Sequence, residues 1–231
     1  MADWKTAWRS FYYDGAPEAP DPVLVAGRVA LLVIDVQNTY LVQADPTGLP
    51  AAEQARLAGW PPFHDRMPAT VIPTIARLIE RFRADRNPVV FARIACLTHG
   101  GTDRSLSQKK PGWNNLFLPK DAEASQIVPE LAPLPGEVVV TKTTDSALTG
   151  TNLRLVLHNM GITHVVCTGI FTDQCVSSTV RSLADESFDV VVIEDACAAG
   201  TMALHTREIE ILNRIYCEVM RADDLLGYLP A

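Results

Sequence analysis

At 231 residues, 48% hydrophobic and with a formal net charge of −7, the chain can bury one sizeable core and is too acidic to seek nucleic acid or an anionic membrane through its overall charge. Lys109-Lys110 is a lone basic pair, no apolar run approaches a membrane span, and the first residues lack the apolar core of a signal peptide, so a cytoplasmic location is expected. Five cysteines without framework or C-x-x-C spacing are expected as reduced thiols rather than disulfides or zinc ligands.

Residues 1–27 carry Trp4, Trp8, Phe11, Tyr12 and Tyr13 ahead of Pro17, Pro20 and Pro22. An arm this apolar is expected to pack on its own domain or on a neighbouring subunit, leaving residues 28–231 as a single folded domain. Residues 29–34 are continuously apolar, as in a buried parallel strand, and run into Asp35-Val36-Gln37. A carboxylate at the C-terminal end of such a strand stands where α/β sheets place their ligands, which makes Asp35 a catalytic candidate. Residues 38–67 are rich in Pro and Gly around a short helix at 51–57. A connection of that length in a compact domain acts as a lid or binding loop, with Trp60, Phe63 and His64 available to line a pocket.

A helical stripe over 69–83 (Val71, Ile75, Leu78, Ile79, Phe82) leads to a second strand at 88–93, then to an irregular connection at 94–135 that includes Trp113. The third strand, 137–142, runs four β-branched residues directly into Lys142, a cation that only buried anions would want there. Thr151 caps a helix that Gly161 ends. Residues 163–168 form the fourth strand, and Gly169-Ile-Phe-Thr-Asp-Gln-Cys175 turns it into a helix for which Thr172 or Asp173 can serve as N-cap. Cys175 then lies near unsatisfied N–H groups and the positive end of a helix dipole, which favour thiolate and can hold an oxyanion, so it is the candidate nucleophile. A strand at 189–193, a helix at 205–215, a strand at 216–220 and a helical turn at 223–228 complete the chain.

Strands alternating with helices predict an α/β fold: a three-layer α/β/α sandwich with a mainly parallel, Rossmann-like six-stranded sheet. G-x-G-x-x-G, G-x-x-x-x-G-K-[ST] and G-x-S-x-G are all missing, which removes the main support for dinucleotide, P-loop and serine-hydrolase readings.

Taken together, Val33-Ile-Asp-Val-Gln37, Lys142 with Ser146-Ala-Leu-Thr-Gly-Thr151, and Gly169-Ile-Phe-Thr-Asp-Gln-Cys-Val176 resemble the isochorismatase-like cysteine hydrolases, in order and spacing, over roughly residues 28–220. That family includes nicotinamidases, N-carbamoylsarcosine amidases, ureidoacrylate amidohydrolases and biuret hydrolases. The resemblance implies an Asp35–Lys142–Cys175 triad, a non-proline cis peptide at Ile170–Phe171, and an oxyanion hole made by the N–H groups of Phe171 and Cys175. It also implies a homo-oligomer, dimer or tetramer. The D-x-H spacing of a nicotinamidase metal site is missing around Asp45, His64 and Asp65, so no metal and no cofactor are expected. The expected activity is metal-independent hydrolysis of a C–N bond in a small linear amide or N-carbamoyl (ureido) compound through a thioester. Vinyl-ether hydrolysis without a nucleophile, or a non-catalytic oligomeric binding protein on the same fold, are the alternatives. Candidate substrate contacts are Gln37, Asn38, Tyr40, Arg93, Trp113 and Ile170, with Arg93 or Arg104 available for a substrate carboxylate.

Overall fold

Each of the six apolar runs is a strand of one sheet in the computed structural model, which describes residues 3–230. The strands are β1 (Val29–Ile34), β2 (Val89–Ile94), β3 (Val138–Lys142), β4 (His164–Ile170), β5 (Asp189–Ala198) and β6 (Glu218–Met220). They lie in the order β3-β2-β1-β4-β5-β6 and every pairing is parallel. The order reverses between β1 and β4, so the connections leaving those two strands diverge to opposite faces and open a crevice at their C-terminal ends.

Alternate residues of each central strand feed two separate cores. Leu31 and Val33 of β1 pack on one face, while Ala30, Leu32 and Ile34 pack on the other. The β1–β2 connection begins with short helices α1 (Asn38–Leu41), α2 (Ala51–Leu57) and α3 (Pro61–Arg66) and continues into α4 (Ile72–Ala84). The other helices are α5 (Leu153–Asn159), α6 (Ser177–Asp185), α7 (Met202–Leu212) and α8 (Ala222–Tyr228). Phe63, Ile75, Leu78 and Phe82 of α3 and α4, with Leu225 of α8, cover the first face. Leu153, Leu157, Val180, Leu183 and Ile209 of α5, α6 and α7 cover the second. These are the three layers of an α/β/α sandwich. Among the described residues no helix is long and apolar enough to cross a membrane.

Several boundaries differ from the sequence expectation. The helix expected from residue 69 starts as a π-helical turn, Met67–Val71, because Pro68 and Pro73 lack N–H groups and disturb the regular ladder. β5 runs five residues beyond the expected end, through Glu194 and Asp195, because Arg66 and Arg221 neutralise those carboxylates. The helix expected at 205–215 instead begins at Met202, capped by the Thr201 hydroxyl accepting the Leu204 N–H at 3.2 Å. Within the expected arm, residues 1 and 2 lie outside the described residues, as does residue 231. Trp4 is buried and donates from Nε1 to the Tyr228 hydroxyl at 3.2 Å, and Asn213 Nδ2 donates to the carbonyls of Ala7 and Trp8. Phe11 and Tyr12 stand exposed.

Candidate active site

Asp35 is the first residue past β1 and takes a left-handed conformation, φ 54°, which aspartate tolerates better than most side chains. Its N–H still bonds the Ala92 carbonyl at 2.9 Å, so the carboxyl group is held at the end of the sheet ladder rather than on a free loop. Gln37 secures the turn that follows. Its Nε2 donates to the carbonyls of Ile94 at 3.0 Å and Ser125 at 2.8 Å, and its Oε1 accepts the Ile94 N–H at 2.9 Å. The side chain expected to touch substrate is therefore wholly committed to backbone. Gln37→Leu leaves these buried groups unpaired and is expected to lower unfolding stability by about 3 kcal/mol in urea titration. A loss below about 1 kcal/mol would deny Gln37 this bracing role.

Lys142 ends β3, two strands from β1, and its fully buried side chain reaches back under the crevice. Its Nζ lies 2.7 Å from Asp35 Oδ2, donates to the Thr144 carbonyl at 3.1 Å and to Cys175 Sγ at 3.3 Å, so each of the three ammonium protons has a neighbour. Burial works against the charged ammonium, but Asp35 and the Cys175 sulfur more than offset it and hold the lysine above its usual range. Burial likewise pushes the Asp35 carboxyl up, opposed by Lys142, which makes Asp35 a stronger base than an exposed carboxylate. Apart from that ion pair, neither Asp35 oxygen has a hydrogen-bond partner among the described residues.

Cys175 sits in a π-helical turn, Thr172–Val176, that precedes α6, with the cis Ile170–Phe171 bond at the end of β4 just before it. Gly169 in β4 is obligatory: its φ is 115°, and a Cβ there would fall on the Ile34 carbonyl of β1. Neither expected N-cap serves. The N-cap position is Phe171 and has no side-chain cap; the Thr172 hydroxyl pairs with His205 Nδ1 at 2.8 Å, and Asp173 Oδ1 is buried without a partner among the described residues. Burial and the facing Asp35 carboxylate push the Cys175 thiol well above its usual range despite Lys142, the opposite direction to the shift expected from a helix N-terminus alone. The Phe171 N–H takes no partner among the described residues.

A cavity of about 330 Å³ opens beside this turn, lined by Tyr40, Arg56, Trp60, His64, Asn114 and Phe171 among others. Its aromatic wall is built edge to face, with Tyr40 and Trp60 at 5.3 and 5.7 Å from the Phe171 ring centroid. Phe63 lies behind that wall, 5.1 Å from Phe171 and buried in the core. Burial and the nearby Asp35 charge hold the Tyr40 phenol far above its ordinary range, so it is a neutral donor. A larger depression, about 580 Å³, lies around His164 and Asp189 at the opposite end of the strands, away from the triad.

Other expected contacts are occupied elsewhere. Asn38 Nδ2 donates to the Glu123 carbonyl, Arg93 binds Thr141 and Gln126, and Arg104 clamps the carbonyls of Gly101, Gln108 and Leu116. Trp113 is 63% exposed under Lys110, and Ile170 is a core residue. One neighbour escaped the sequence reading: Asp145 Oδ1 lies 3.9 Å from Cys175 Sγ. Its only sequence signal is its place three residues past Lys142.

Comparison with known proteins accords with this geometry. The family model described as the isochorismatase domain matches residues 29–224. The chain is 28% identical to a ureidoacrylate amidohydrolase of Variovorax paradoxus, over 93% of this chain and 87% of that one. It is 26% identical to an N-carbamoylsarcosine amidase of an Arthrobacter species, over 88% and 72%. A solved isochorismatase family protein of Burkholderia thailandensis superposes with a TM-score of 0.69 at 29% identity, covering 90% of this chain and 98% of that one.

Proposed function

The chain belongs to the isochorismatase family, and we propose that within it this protein is a cysteine amidohydrolase that cleaves the C–N bond of a small linear amide or ureido compound. The observation that carries this reading is the buried ammonium of Lys142, 2.7 Å from Asp35 and 3.3 Å from Cys175 Sγ. It joins a base that burial has strengthened to a thiol that needs one. The two relatives, named for action on ureidoacrylate and on N-carbamoylsarcosine, point to the same ureido class.

In this mechanism Asp35 takes the Cys175 proton as the sulfur attacks the substrate carbonyl, and Lys142 keeps the resulting charges paired. The N–H groups of Phe171 and Cys175 receive the developing oxyanion. Asp35 then returns the proton to the departing nitrogen, and water, deprotonated by Asp35, cleaves the thioester. Acid, base and nucleophile titrate as one coupled set.

The test is ammonia release from a panel of small amides and ureido compounds by chelator-treated enzyme. Turnover of at least one ureido compound is expected. Below the Asp35 pKa the carboxyl is protonated and cannot accept the thiol proton. Because that pKa is raised, kcat/KM should fall on acidification at a pH above the ordinary carboxylate value of about 4. Enzyme silent on the whole panel, or active only when a metal is restored, would refute the proposal.

A further inference from the structure

We propose that Asp145 selects the substrate: its carboxylate accepts hydrogen bonds from an NH or NH2 group next to the scissile carbonyl, so the site takes amides bearing a second nitrogen donor and turns away those bearing a carboxylate there. This inference deepens the amidohydrolase reading and rests on it for the word substrate. Its geometric basis is independent of turnover.

The loop that carries Asp145 is clamped on both sides. Lys142 Nζ holds the Thr144 carbonyl at 3.1 Å, the Ala147 N–H bonds Thr179 Oγ1 at 3.0 Å, and Ser146 Oγ bonds Ser182 Oγ at 2.9 Å. Between these anchors the Asp145 carboxylate is half-buried, with Oδ1 3.9 Å from the nucleophilic sulfur. Lys142, three residues away, is committed to Asp35, and Asp145 forms no ion pair among the described residues. Among the described residues the Cys175 S–H donates to Asp145 Oδ1; when Asp35 takes that proton the half-buried carboxylate loses its donor, and an N–H group of the bound ligand can replace it. Neighbouring groups register its charge, since it helps to raise Asp35, Cys175 and the cavity-lining Tyr40.

The charge balance decides which ligands fit. Asp35 and Lys142 cancel, so Asp145 leaves the reacting centre net negative. A substrate carboxylate placed at this point meets repulsion in a half-buried setting, whereas an N–H group meets a charged acceptor. Amides whose carbonyl is flanked on both sides by nitrogen, as in ureas and carbamoyl amides, satisfy this requirement.

The experiment compares alkylation of Cys175 by iodoacetamide and by iodoacetate, in which the sulfur displaces iodide as the S–C bond forms and the C–I bond breaks. The two reagents are nearly equal in size and differ in whether an amide or a carboxylate enters beside the sulfur. All five cysteines are buried, so Cys175→Ala supplies the background rate contributed by the other four. The ratio of the two rate constants is expected to fall at least about tenfold from wild type to Asp145→Asn, the change expected for one hydrogen bond to a charged group. Taking the ratio cancels any general change in thiol reactivity. Asp145→Ser, made beside it, should show the same fall, and thermal melts identify the variants that keep the fold. A ratio unchanged in either folded variant overturns the proposal. Ammonia release from the ureido panel is scored separately: a wild type that releases none while the ratio still falls removes the amidohydrolase reading and leaves the selectivity of Asp145 standing.

Discussion

Cys175→Ala is expected to lower ammonia release from any amide or ureido substrate by about 10⁴-fold or more, because removing the nucleophile of a unit that acts together leaves only binding and oxyanion stabilisation. Stability should change little by comparison, since the lost atom is one sulfur at the crevice. The outcome separates three chemistries on one fold. Full ammonia release in the variant would show that water attacks the amide directly and no thioester forms, whereas an enzyme silent on amides but equally active on a vinyl ether with or without Cys175 would favour vinyl-ether hydrolysis. A wild type without activity on either bond type, with an inert thiol, would favour a binding protein. Cys175→Ser adds a finer reading. Asp35 is strengthened as a base by burial but is matched to a thiol, and a serine hydroxyl is a far weaker acid, so the serine variant should be nearly as inactive as the alanine variant.

Lys142→Met should produce the largest stability effect. The substitution keeps the volume of a fully buried side chain but leaves Asp35 as an uncompensated buried charge, which costs about 3–5 kcal/mol when one partner of such a pair is removed. The sign of the pH dependence follows from Asp35. Burial already raises its pKa in the folded protein, and losing the Lys142 ammonium removes the group that opposes this. A carboxyl that binds its proton more tightly folded than unfolded destabilises the fold once it must ionise and recovers stability as pH falls. The deficit of Lys142→Met measured in urea should therefore be greatest near neutral pH and shrink toward pH ~5, approaching the unfolded-state carboxylate value. Adding Asp35→Asn should recover most of the loss at neutral pH. A single variant as stable as wild type at pH 7, or a double variant no better than the single, would mean that the pair is not the electrostatic unit described above.

The strands were legible in the sequence because a parallel sheet covered on both faces favours strands rich in apolar and β-branched residues: β1 is continuously apolar, and Val-rich stretches mark β2, β3, β4 and β5. Where polar residues interrupt a run, legibility ends. β5 continues through Glu194 and Asp195 because Arg66, from α3, reaches Glu194 at 3.1 Å and Arg221 flanks both carboxylates. Neither partner is near in sequence. The same reason explains the side chains read as substrate contacts. Gln37, Arg93 and Arg104 have the chemistry to bind a ligand, and only long-range or loop-specific backbone placement shows that carbonyls and neighbouring side chains already use that capacity.

By itself, the sequence determined that this chain forms alternating strands and helices, that an acid and a lysine stand at the ends of two strands and that a cysteine lies in the turn after a third, since all follow from local apolar patterning and from the polar residues that end it. Tertiary structure alone decided that these three groups meet. Their convergence depends on the strand order β3-β2-β1-β4, on a lysine long enough to cross from β3 beneath the crevice, and on the burial that shifts all three titrations together. It also decided the aromatic cavity around Phe171 and the approach of Asp145 to the sulfur. Loops are positioned by what they pack against, and such contacts leave no periodicity in the chain that makes them.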